Sequence, residues 1–487
     1  MKRPNLLYVF PDQFRLMSLG IWQNPTYSAH LSGRPDPVTT PNLDTFALTA
    51  TSYTNAVSNC PVCSPHRGSL MTGLYPNKSG VPLNCNSDRL CSDLPQSQTC
   101  FTDILSQAGY HIGYIGKWHL DLPTANDPES PGRFVDAYFV EGEQPAWDSY
   151  TEPKRRHGID YWYGYGTFDQ HTNPHYYDSH GKRYEPKVWS AEHEADKAIE
   201  YITNQSGVRD DSHPFALFVS MNPPHSPYNS LKDCREADLA LYQDKGTNSL
   251  LVRENADLEL EKAKSAPYYF ANVSGVDKEF GRIVDALKQT GEWENTLVVF
   301  TSDHGETLCS HGLEDAKNCI YNESFQVPFL VKSPQQNEAD IATQFISSPD
   351  IMPSILSKLG LSDQVPNTVQ GEARFEASKN GYALYFRNLD GEKDHLGKVI
   401  DYFPQSRGIK TERYTLALEV SPEYQLTKTR LFDDQSDPYQ RHPLELDVQN
   451  PAFQSLLRQL AQGLTRIEDP WYQHQVLSHL IPYNEVK

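Results

Sequence analysis

Short, continuously apolar runs recur along the chain, and polar or Gly/Pro-rich loops separate them. Strands that are buried on both faces of a sheet have this uninterrupted apolar character, whereas half-exposed strands alternate between apolar and polar residues. The runs therefore predict strands at the centre of a sheet that is covered on both sides. The clearest of them span residues 6–10, 215–220, 296–301 and 328–331.

Helical patterns lie between these runs. Over residues 276–287, apolar side chains recur every three or four positions and so share one face of a helix: Val276, Phe280, Ile283, Val284 and Leu287. Similar patterns predict helices over 43–48, 102–108 and 191–202. Strands that alternate with helices indicate an α/β fold in which helices cover both sides of the sheet.

A polar stretch over 363–382 predicts a domain boundary. We therefore expect a catalytic α/β domain over 1–370 and a smaller α+β subdomain over 371–487. In the subdomain, short apolar runs predict strands of an antiparallel sheet, and a later pattern predicts an amphipathic helix. These elements span 382–386, 414–420 and 451–464.

The region 121–190 differs from the rest of the first domain. It is dense in Tyr, Trp, His, Pro and Gly and has weak periodicity, which predicts an elaborate loop region over the active face. Aromatic rings beside basic groups could stack on an anionic sugar, although such loops could equally be self-packed. On this composition, we expect Arg156 and His175 to lie within reach of a substrate sugar.

Composition and charge exclude several classes of protein. The 487 residues are 38% hydrophobic and 22% charged, which is a globular composition. The formal net charge of −20 repels nucleic acid and anionic membranes, so neither is an expected partner. An anionic substrate would therefore need a locally basic pocket. The sequence contains no run of about 18 apolar residues, so we expect no membrane span.

The N-terminus and the cysteines bear on the cellular compartment. The first apolar run is too short for a secretory signal, so we expect either a cytoplasmic protein or a periplasmic or secreted one whose signal has been trimmed. Eight cysteines in a chain of this length do not amount to a disulfide scaffold. Cys85, Cys91 and Cys100 lie close together in sequence, which is equally compatible with one bridge or with free buried thiols.

Two polar pairs follow predicted buried strands. Asp12 and Gln13 come after the first apolar run, and Asp303 and His304 come after the run that ends at 301. One such Asp by itself is usually a turn or capping residue. Ligands of parallel α/β sheets, however, bind outside the carboxyl ends of the strands. Two pairs therefore make a metal site more plausible, with oxygen ligands that suit Ca²⁺ or Mg²⁺.

A second set of element ends carries nucleophilic and basic residues. Cys63 precedes a helical pattern, and the backbone N–H groups at a helix N-terminus favour an anion. Arg67 could clamp that anion, although a plain Cys is more often a buried thiol. Lys117 and His119 are two apart in an extended segment and so point the same way. If both side chains were exposed to solvent, the pair would not indicate a functional site.

Two more residues could complete an anion pocket. His225 lies between prolines that stiffen its position. Lys317 follows the Asp-His pair closely enough to reach back to the same place.

The order of these motifs resembles that of the type I sulfatases of the alkaline-phosphatase superfamily, in particular the bacterial polysaccharide sulfatases. The likeness extends over nearly the whole chain, and Cys-x-Pro-x-Arg followed by Thr-Gly-x-Tyr-Pro is highly specific. The matching segments are PNLLYVFPDQ, TPNLDTFA, CSPHRGSLMTGLYP, GYIGKWHLD, NPPHSPY, TSDHGE, HGLEDAK, TERYTLAL and LFDDQSDP. The fold implied is a large mixed sheet flanked by helices, with a smaller C-terminal subdomain that contains an antiparallel sheet.

The resemblance implies a role for each motif residue. Cys63 would be oxidised by a formylglycine-generating maturation enzyme to formylglycine (3-oxoalanine), whose hydrate attacks the sulfur of a sulfate ester. Arg67 would stabilise that hydrate. The remaining roles would be sulfate binding by Lys117 and Lys317, and proton transfer by His119 as base and His225 as acid, with Lys317 as the second choice of acid. One Ca²⁺ per chain would be held by Asp12, Gln13, Asp303, His304 and the modified Cys63.

Two positions depart from the commonest family pattern, because Gln13 stands in place of a second Asp and His304 in place of an Asn. Both keep a lone pair for a metal, but imidazole also suits Mn²⁺ or Zn²⁺. The function implied is hydrolysis of sulfate esters on a sulfated carbohydrate, such as an algal polysaccharide or a glycosaminoglycan.

Two alternative functions are compatible with parts of the pattern. One is a phosphonate monoester or phosphodiester hydrolase of the same superfamily, in which the residues equivalent to Lys117 and His119 are typically missing. The other is a catalytically inactive protein that binds sulfated glycans, which would require the loss of a key residue. The sequence shows no such loss.

Overall fold

A ten-stranded mixed sheet forms the centre of the fold. The computed structural model describes residues 3–85, 91–122, 125–126, 134–135, 150–167, 170–314, 316–376, 381–393, 399–478 and 480–481. In chain order, the strands of all the sheets in the described residues are β1 (Asn5–Val9), β2 (Thr51–Val57), β3 (His111–Lys117), β4 (Ala125–Asn126), β5 (Phe134–Val135), β6 (Tyr161–Tyr165), β7 (Tyr176–Asp178), β8 (Arg183–Tyr184), β9 (Phe215–Ser220), β10 (Thr296–Phe300), β11 (Leu330–Lys332), β12 (Asp340–Ser347), β13 (Tyr382–Arg387), β14 (Asp390–Lys393), β15 (Val399–Phe403), β16 (Gln405–Thr411), β17 (Tyr414–Val420) and β18 (Leu426–Asp433).

Helices cover both faces of this sheet. In chain order, the α-helices of the described residues, including α12 and α13 of the C-terminal part, are α1 (Pro25–Ser28), α2 (Pro41–Ala47), α3 (Cys63–Thr72), α4 (Pro76–Ser79), α5 (Phe101–Gln107), α6 (Ser190–Thr203), α7 (Glu236–Leu239), α8 (Thr247–Leu250), α9 (Ala266–Gln289), α10 (Asn322–Phe325), α11 (Ile351–Lys358), α12 (Pro451–Arg466) and α13 (Pro470–Gln473). The predicted helices over 43–48, 102–108, 191–202 and 276–287 fall within or overlap α2, α5, α6 and α9.

The order of the strands places the N-terminal strand at the centre of the sheet. The order is β12-β2-β11-β10-β1-β9-β3-β6-β7-β8. Strands β10, β1, β9 and β3 are neighbours and run parallel, whereas β11 and β7 pair antiparallel with their neighbours. The carboxyl ends of four consecutive strands therefore meet at one edge, where α/β sheets bind their ligands.

The uninterrupted apolar runs arise because each central strand is buried on both faces. In β1, Leu7 and Val9 pack with α6 and α9 in one core, whereas Leu6 and Tyr8 pack with α3, α5 and α11 in another. Full burial of one such side chain stabilises the fold by roughly 1.5–3 kcal/mol. A half-exposed strand would gain this contribution only at alternate positions.

The C-terminal part forms a separate antiparallel sheet, as predicted. Its strand order is β13-β16-β17-β18. One face, with Leu384 and Phe386, packs with α12. The alternate residues Ala383 and Tyr385 face Phe325 and other apolar side chains of the first domain. The two faces thus explain both the strand pattern and the amphipathic helix over 451–464. The boundary near residue 370 stays a prediction.

The aromatic region over 121–190 is only partly the loop that its composition predicts. Strands β6, β7 and β8 lie within it and extend the large sheet at one edge. The loop interpretation was wrong for these segments because their aromatic side chains, including Tyr163, Tyr165 and Tyr176, are buried in the core under α6. Residues 127–133 and 136–149 lie outside the described part of the chain.

Two other expectations concern the membrane and the cysteines. Among the described residues, no helix is long and apolar enough to cross a membrane. Cys91 is an exposed free thiol and Cys100 a buried free thiol. The bridge considered for the cluster of three therefore does not form in this structure.

Candidate active site

Side chains from four adjacent strand ends and one helix start meet at the carboxyl edge of the large sheet. Parallel pairing forces this meeting, because it brings the ends of β10, β1, β9 and β3 side by side. The first turn of α3 contributes the nucleophile candidate to the same place. The residues brought together are Asp12 and Gln13 after β1, Asp303 and His304 after β10, Lys117 at the end of β3, His119 just after β3, His225 after β9, and Cys63 and Arg67 of α3.

Asp12, Cys63, Asp303 and His304 form a buried group in which the potential ligand atoms all lie within 4.8 Å of one another. Sγ of Cys63 lies 3.3 Å from Nε2 of His304 and 3.8 Å from Oδ1 of Asp12. The same Nε2 lies 3.4 Å from Oδ1 of Asp12 and 3.8 Å from Oδ1 of Asp303. These atoms surround a space whose size and chemistry fit a divalent cation. We call it the cation space.

Arg67 orients the two carboxylates of this group. Its guanidinium lies 3.2 Å from Oδ2 of Asp12 and 3.1 Å from Oδ2 of Asp303. It also donates to the main-chain oxygen of Lys117 at 2.8 Å and to Oγ of Ser220 at 2.7 Å. Because Arg67 binds both Oδ2 atoms, both Oδ1 atoms are left to face the cation space. In the structure, Arg67 thus contacts the acidic ligand candidates directly.

Gln13 brings its amide oxygen to the same space. Its Oε1 accepts a hydrogen bond from Nζ of Lys317 at 3.3 Å, and its main-chain N–H donates to Oδ1 of Asp303 at 3.1 Å. Gln13 adopts a φ of 65°, in the left-handed region that residues other than glycine rarely occupy. Such backbone strain clusters at functional sites.

Two lysines contribute positive charge near Cys63. Nζ of Lys117 donates to Oδ2 of Asp12 at 2.8 Å and to Oδ1 of Asn222 at 3.4 Å. Nζ of Lys317 lies 3.1 Å from Sγ of Cys63. Burial alone would raise the pKa of the Cys63 thiol, but Lys117 and Lys317 hold it well below its usual value. The site therefore stabilises negative charge at position 63.

His225 and His119 are both neutral imidazoles in this environment. Burial and the charge of Lys317 lower the pKa of His225 to about 4, and its Nε2 lies 2.9 Å from Nζ of Lys317. Burial lowers the pKa of His119 to about 4. Neither ring nitrogen of His119 makes a hydrogen bond of good geometry with the described residues, although the Cys63 side chain interacts with the ring and opposes the lowering of its pKa. A buried imidazole without such a hydrogen bond is the exception in proteins, and a bound anion or substrate hydroxyl would satisfy it.

The two acidic ligand candidates have different protonation behaviour. Burial and the nearby charge of Asp12 raise the pKa of Asp303 to about 6. Burial and Cys63 would also raise the pKa of Asp12, but Lys117, together with His225 and His304, holds it below its usual range. Two buried carboxylates this close repel each other, and Arg67 and Lys117 offset only part of the cost of burying them. The pair therefore favours a bound positive ion.

Arg156 and His175, which were expected to contact a sugar, are both buried in the structure. Arg156 is 4% exposed, and its guanidinium donates to Thr151 O, Ser179 O and Tyr150 Oη at 3.0, 2.9 and 3.3 Å. These contacts favour a packing role. His175 is 7% exposed and lies against Tyr165, with ring centroids 5.8 Å apart. Sugar contact by either residue stays a prediction.

Three polar residues of the site were not singled out from the sequence. Ser220 accepts a hydrogen bond from Arg67, Asn222 accepts one from Lys117, and Glu306 accepts one from Gln13. Asn222 and Glu306 lie inside the motifs NPPHSPY and TSDHGE. The motifs indicated that these residues lie near the site, but nothing in the sequence identified the distant residues that they contact.

The sequence matches known protein families and individual relatives. The family model described as "Sulfatase" matches residues 4–361, and the model described as "N-sulphoglucosamine sulphohydrolase, C-terminal" matches residues 309–469. The endo-4-O-sulfatase of Bacteroides thetaiotaomicron is 50% identical, and the match covers 99% of this chain and 96% of that one. An ulvan-active sulfatase of Formosa agariphila is 31% identical over 95% of this chain and 81% of that one.

A solved structure has nearly the same fold. It is described under the metabolism of multiple glycosaminoglycans by Bacteroides thetaiotaomicron, and it matches with a TM-score of 0.93 at 50% identity. The match covers 99% of this chain and 100% of that one.

Proposed function

Because the chain belongs to the sulfatase family and is a sulfuric ester hydrolase, we propose that it removes 4-O-sulfate groups from glycosaminoglycan chains. The observation that carries this proposal is that Lys317 contacts Cys63 and that Lys117 adds its positive charge to the same site, since a sulfate group needs positive charge on several oxygens at once. The choice of 4-O-sulfate, and of internal positions, is supported by the 50% identity with an endo-4-O-sulfatase.

The proposed active form contains a calcium ion and formylglycine at position 63, both of which are typical of the family. The side chains that would hold the ion are those of Asp12, Gln13, Asp303 and His304. The predominance of oxygen atoms favours Ca²⁺ over softer metals. When bound, the cation supplies positive charge that favours deprotonation of a nearby hydroxyl, and hydrated formylglycine supplies the attacking hydroxyl.

The chain's own residues would then bind the sulfate and move protons. Lys117 and Lys317 would stabilise negative charge on the sulfate oxygens. His225 and Lys317 are joined at 2.9 Å and together can deliver the proton that the departing sugar oxygen requires. His119, whose ring nitrogens make no hydrogen bond of good geometry with the described residues, is placed to accept the proton that must be lost when sulfate is released.

The proposal also implies a macromolecular partner. Cys63 is 1% exposed in the folded chain, so a maturation enzyme would have to reach the Cys-x-Pro-x-Arg segment before folding buries it. Expression with and without a formylglycine-generating enzyme tests this step.

The test of the function compares matched substrates. Protein matured in a host that makes formylglycine should desulfate a chondroitin 4-sulfate tetrasaccharide with an internal sulfate, and it should desulfate the 6-O-sulfated isomer much more slowly. It should also hydrolyse an aryl sulfate in preference to an aryl phosphonate. Turnover of the phosphonate with no turnover of any sulfate would favour the phosphonate hydrolase, and equal rates on the two isomers would reject the 4-O preference.

A further inference from the structure

A cavity of about 210 Å³ opens directly beside the nucleophile position. Lys317 lines one end of it, and Nζ of Lys317 lies 3.1 Å from Sγ of Cys63. The cavity is smaller than the roughly 300–1,000 Å³ of pockets that bury drug-sized ligands. It therefore has room for about one sugar ring and not for an oligosaccharide.

The walls of this cavity come from both parts of the molecule. Pro65 at the start of α3 and Pro82 belong to the first domain, and Phe403 at the end of β15 belongs to the C-terminal part. Phe403 is 41% exposed, although its ring is large and apolar. These three side chains present flat apolar surface, which is the surface that the C–H face of a pyranose ring can cover.

Two amide side chains face the same space with unused hydrogen-bonding capacity. The side chain of Asn318 makes no hydrogen bond with the described residues, yet its backbone is fixed: its N–H donates to Pro61 O at 3.0 Å, and its carbonyl accepts from Tyr385 Oη at 3.2 Å. Oδ1 of Asn84 accepts from the Ser64 N–H at 3.0 Å, which leaves its Nδ2 available. Preorganised donors and acceptors of this kind suit sugar hydroxyls.

The two walls are tied together by Asn388. Its Nδ2 donates to Pro82 O at 2.9 Å, and its Oδ1 accepts from Nη2 of Arg407 at 3.0 Å. Asn388 is 8% exposed, so these bonds are shielded from water. The contact between the Pro82 segment and β16 of the C-terminal sheet is thus made by the fold and does not depend on a ligand.

The charge of the lining residues limits which part of a substrate the cavity can bind. Among its described lining residues, Lys317 is the only charged one, and its Nζ contacts Sγ of Cys63. A second sulfate or a carboxylate placed deeper in the cavity would find no cation among the described lining residues and would lose its hydration. From these contacts we infer that the cavity holds the uncharged body of the pyranose ring that carries the sulfate ester, stacked on Phe403 and hydrogen-bonded by Asn318 and Asn84. The inference rests on the proposed function and specifies which residues recognise the substrate.

The test separates recognition of the ring from recognition of sulfate. Phe403→Ala should raise KM for the chondroitin 4-sulfate tetrasaccharide about tenfold, which corresponds to about 1.4 kcal/mol of binding. Asn318→Gly should act in the same direction. Glycine is the appropriate replacement there because Asn318 has a φ of 65°, which glycine adopts without strain. For both variants, the inhibition constant of inorganic sulfate should stay within twofold of the wild-type value.

The matched control is Tyr472→Ala, which removes another exposed aromatic side chain of the C-terminal part, 57% exposed and outside the cavity lining. It should change neither constant. An unchanged KM in Phe403→Ala, or a parallel loss of tetrasaccharide and sulfate binding, would overturn the inference while leaving the proposed function in place. If the wild-type enzyme cleaves an aryl sulfate but not the tetrasaccharide, the proposed substrate class is wrong.

Discussion

The side-chain Nε2 of Gln13 donates a hydrogen bond to the carboxylate of Glu306, although the two residues are 293 positions apart in the chain. An amide has one donor end and one acceptor end, so a carboxylate partner can bind only the NH₂ group. Glu306 thereby fixes Oε1 of Gln13 toward Lys317 and the cation space. Glu306 is itself held by Nζ of Lys262 and the Leu308 N–H, both at 2.9 Å.

Replacing Glu306 should weaken metal binding without removing a ligand. In Glu306→Ala, the Gln13 amide is free to rotate, and loss of such supporting contacts typically costs 10- to 100-fold in metal affinity. Isothermal titration with Ca²⁺ measures this directly. Glu306→Gln is the control, because its amide oxygen can still accept from Nε2, and it should lose less affinity. Equal losses in the two variants would show that orientation of Gln13 is not the cause.

Position 63 should carry an aldehyde in the active protein. A thiol lacks the second hydroxyl that expels sulfate, so it would stop after one attack. Cys63→Ala and Cys63→Ser should lower turnover by about 10³-fold or more, with a melting temperature close to that of wild type. The peptide that contains position 63 should be about 18 Da lighter than the cysteine form. Full activity with an intact thiol at full occupancy would contradict the mechanism.

Removal of the metal should abolish activity and lower stability. A ligand at a hundred times its Kd stabilises the native state by about 2.7 kcal/mol, so Ca²⁺ added to chelated protein should raise the melting temperature by several degrees and restore turnover. Asp12→Asn provides the control, because it removes the negative charge of a ligand candidate and should abolish most of the shift. A calcium-dependent shift of equal size in this variant would place the ion elsewhere.

Arg156 should act on stability and not on substrate selection. Its alanine variant leaves the buried oxygens of Thr151, Ser179 and Tyr150 without their donor, which should cost about 2–4 kcal/mol in the free energy of unfolding. KM for the tetrasaccharide and for an aryl sulfate should change equally. Lys154→Ala, at a side chain that is 66% exposed, is the neutral control. A selective rise in KM for the tetrasaccharide would instead support sugar contact.

The central strands could be predicted from the sequence because burial on both faces leaves no polar interruption. The run 215–220 coincides with β9, and 296–301 exceeds β10 by one residue. The helix predicted over 276–287 begins earlier, at Ala266, since the first turn of a helix tolerates Pro267. The strands β6 and β7 were missed because glycines and buried tyrosines conceal the alternation that identifies a strand.

The sequence predicted those site residues that directly follow buried parallel strands. Polar pairs after two buried runs indicated Asp12 and Asp303, since parallel strands end at a common edge. The partners that orient these ligands, Glu306 and Ser220, make contacts across the fold, and no local pattern encodes them. The cavity beside Lys317 is likewise invisible in the sequence, because its walls come from segments near residues 82 and 403.

The central position of β1 in the sheet also determines when the sheet can be completed during synthesis of the chain. Leu6 pairs with Ala216, and Asn5 pairs with Thr296, so the first strand cannot be enclosed until about 300 residues have left the ribosome. At roughly 5–20 residues per second, synthesis from position 63 to that point takes about 10–50 s. Throughout this interval the sheet beside the Cys63 segment is incomplete, because β10 has not yet been made. The topology thus gives a modifying enzyme a period of access to a residue that the finished protein encloses.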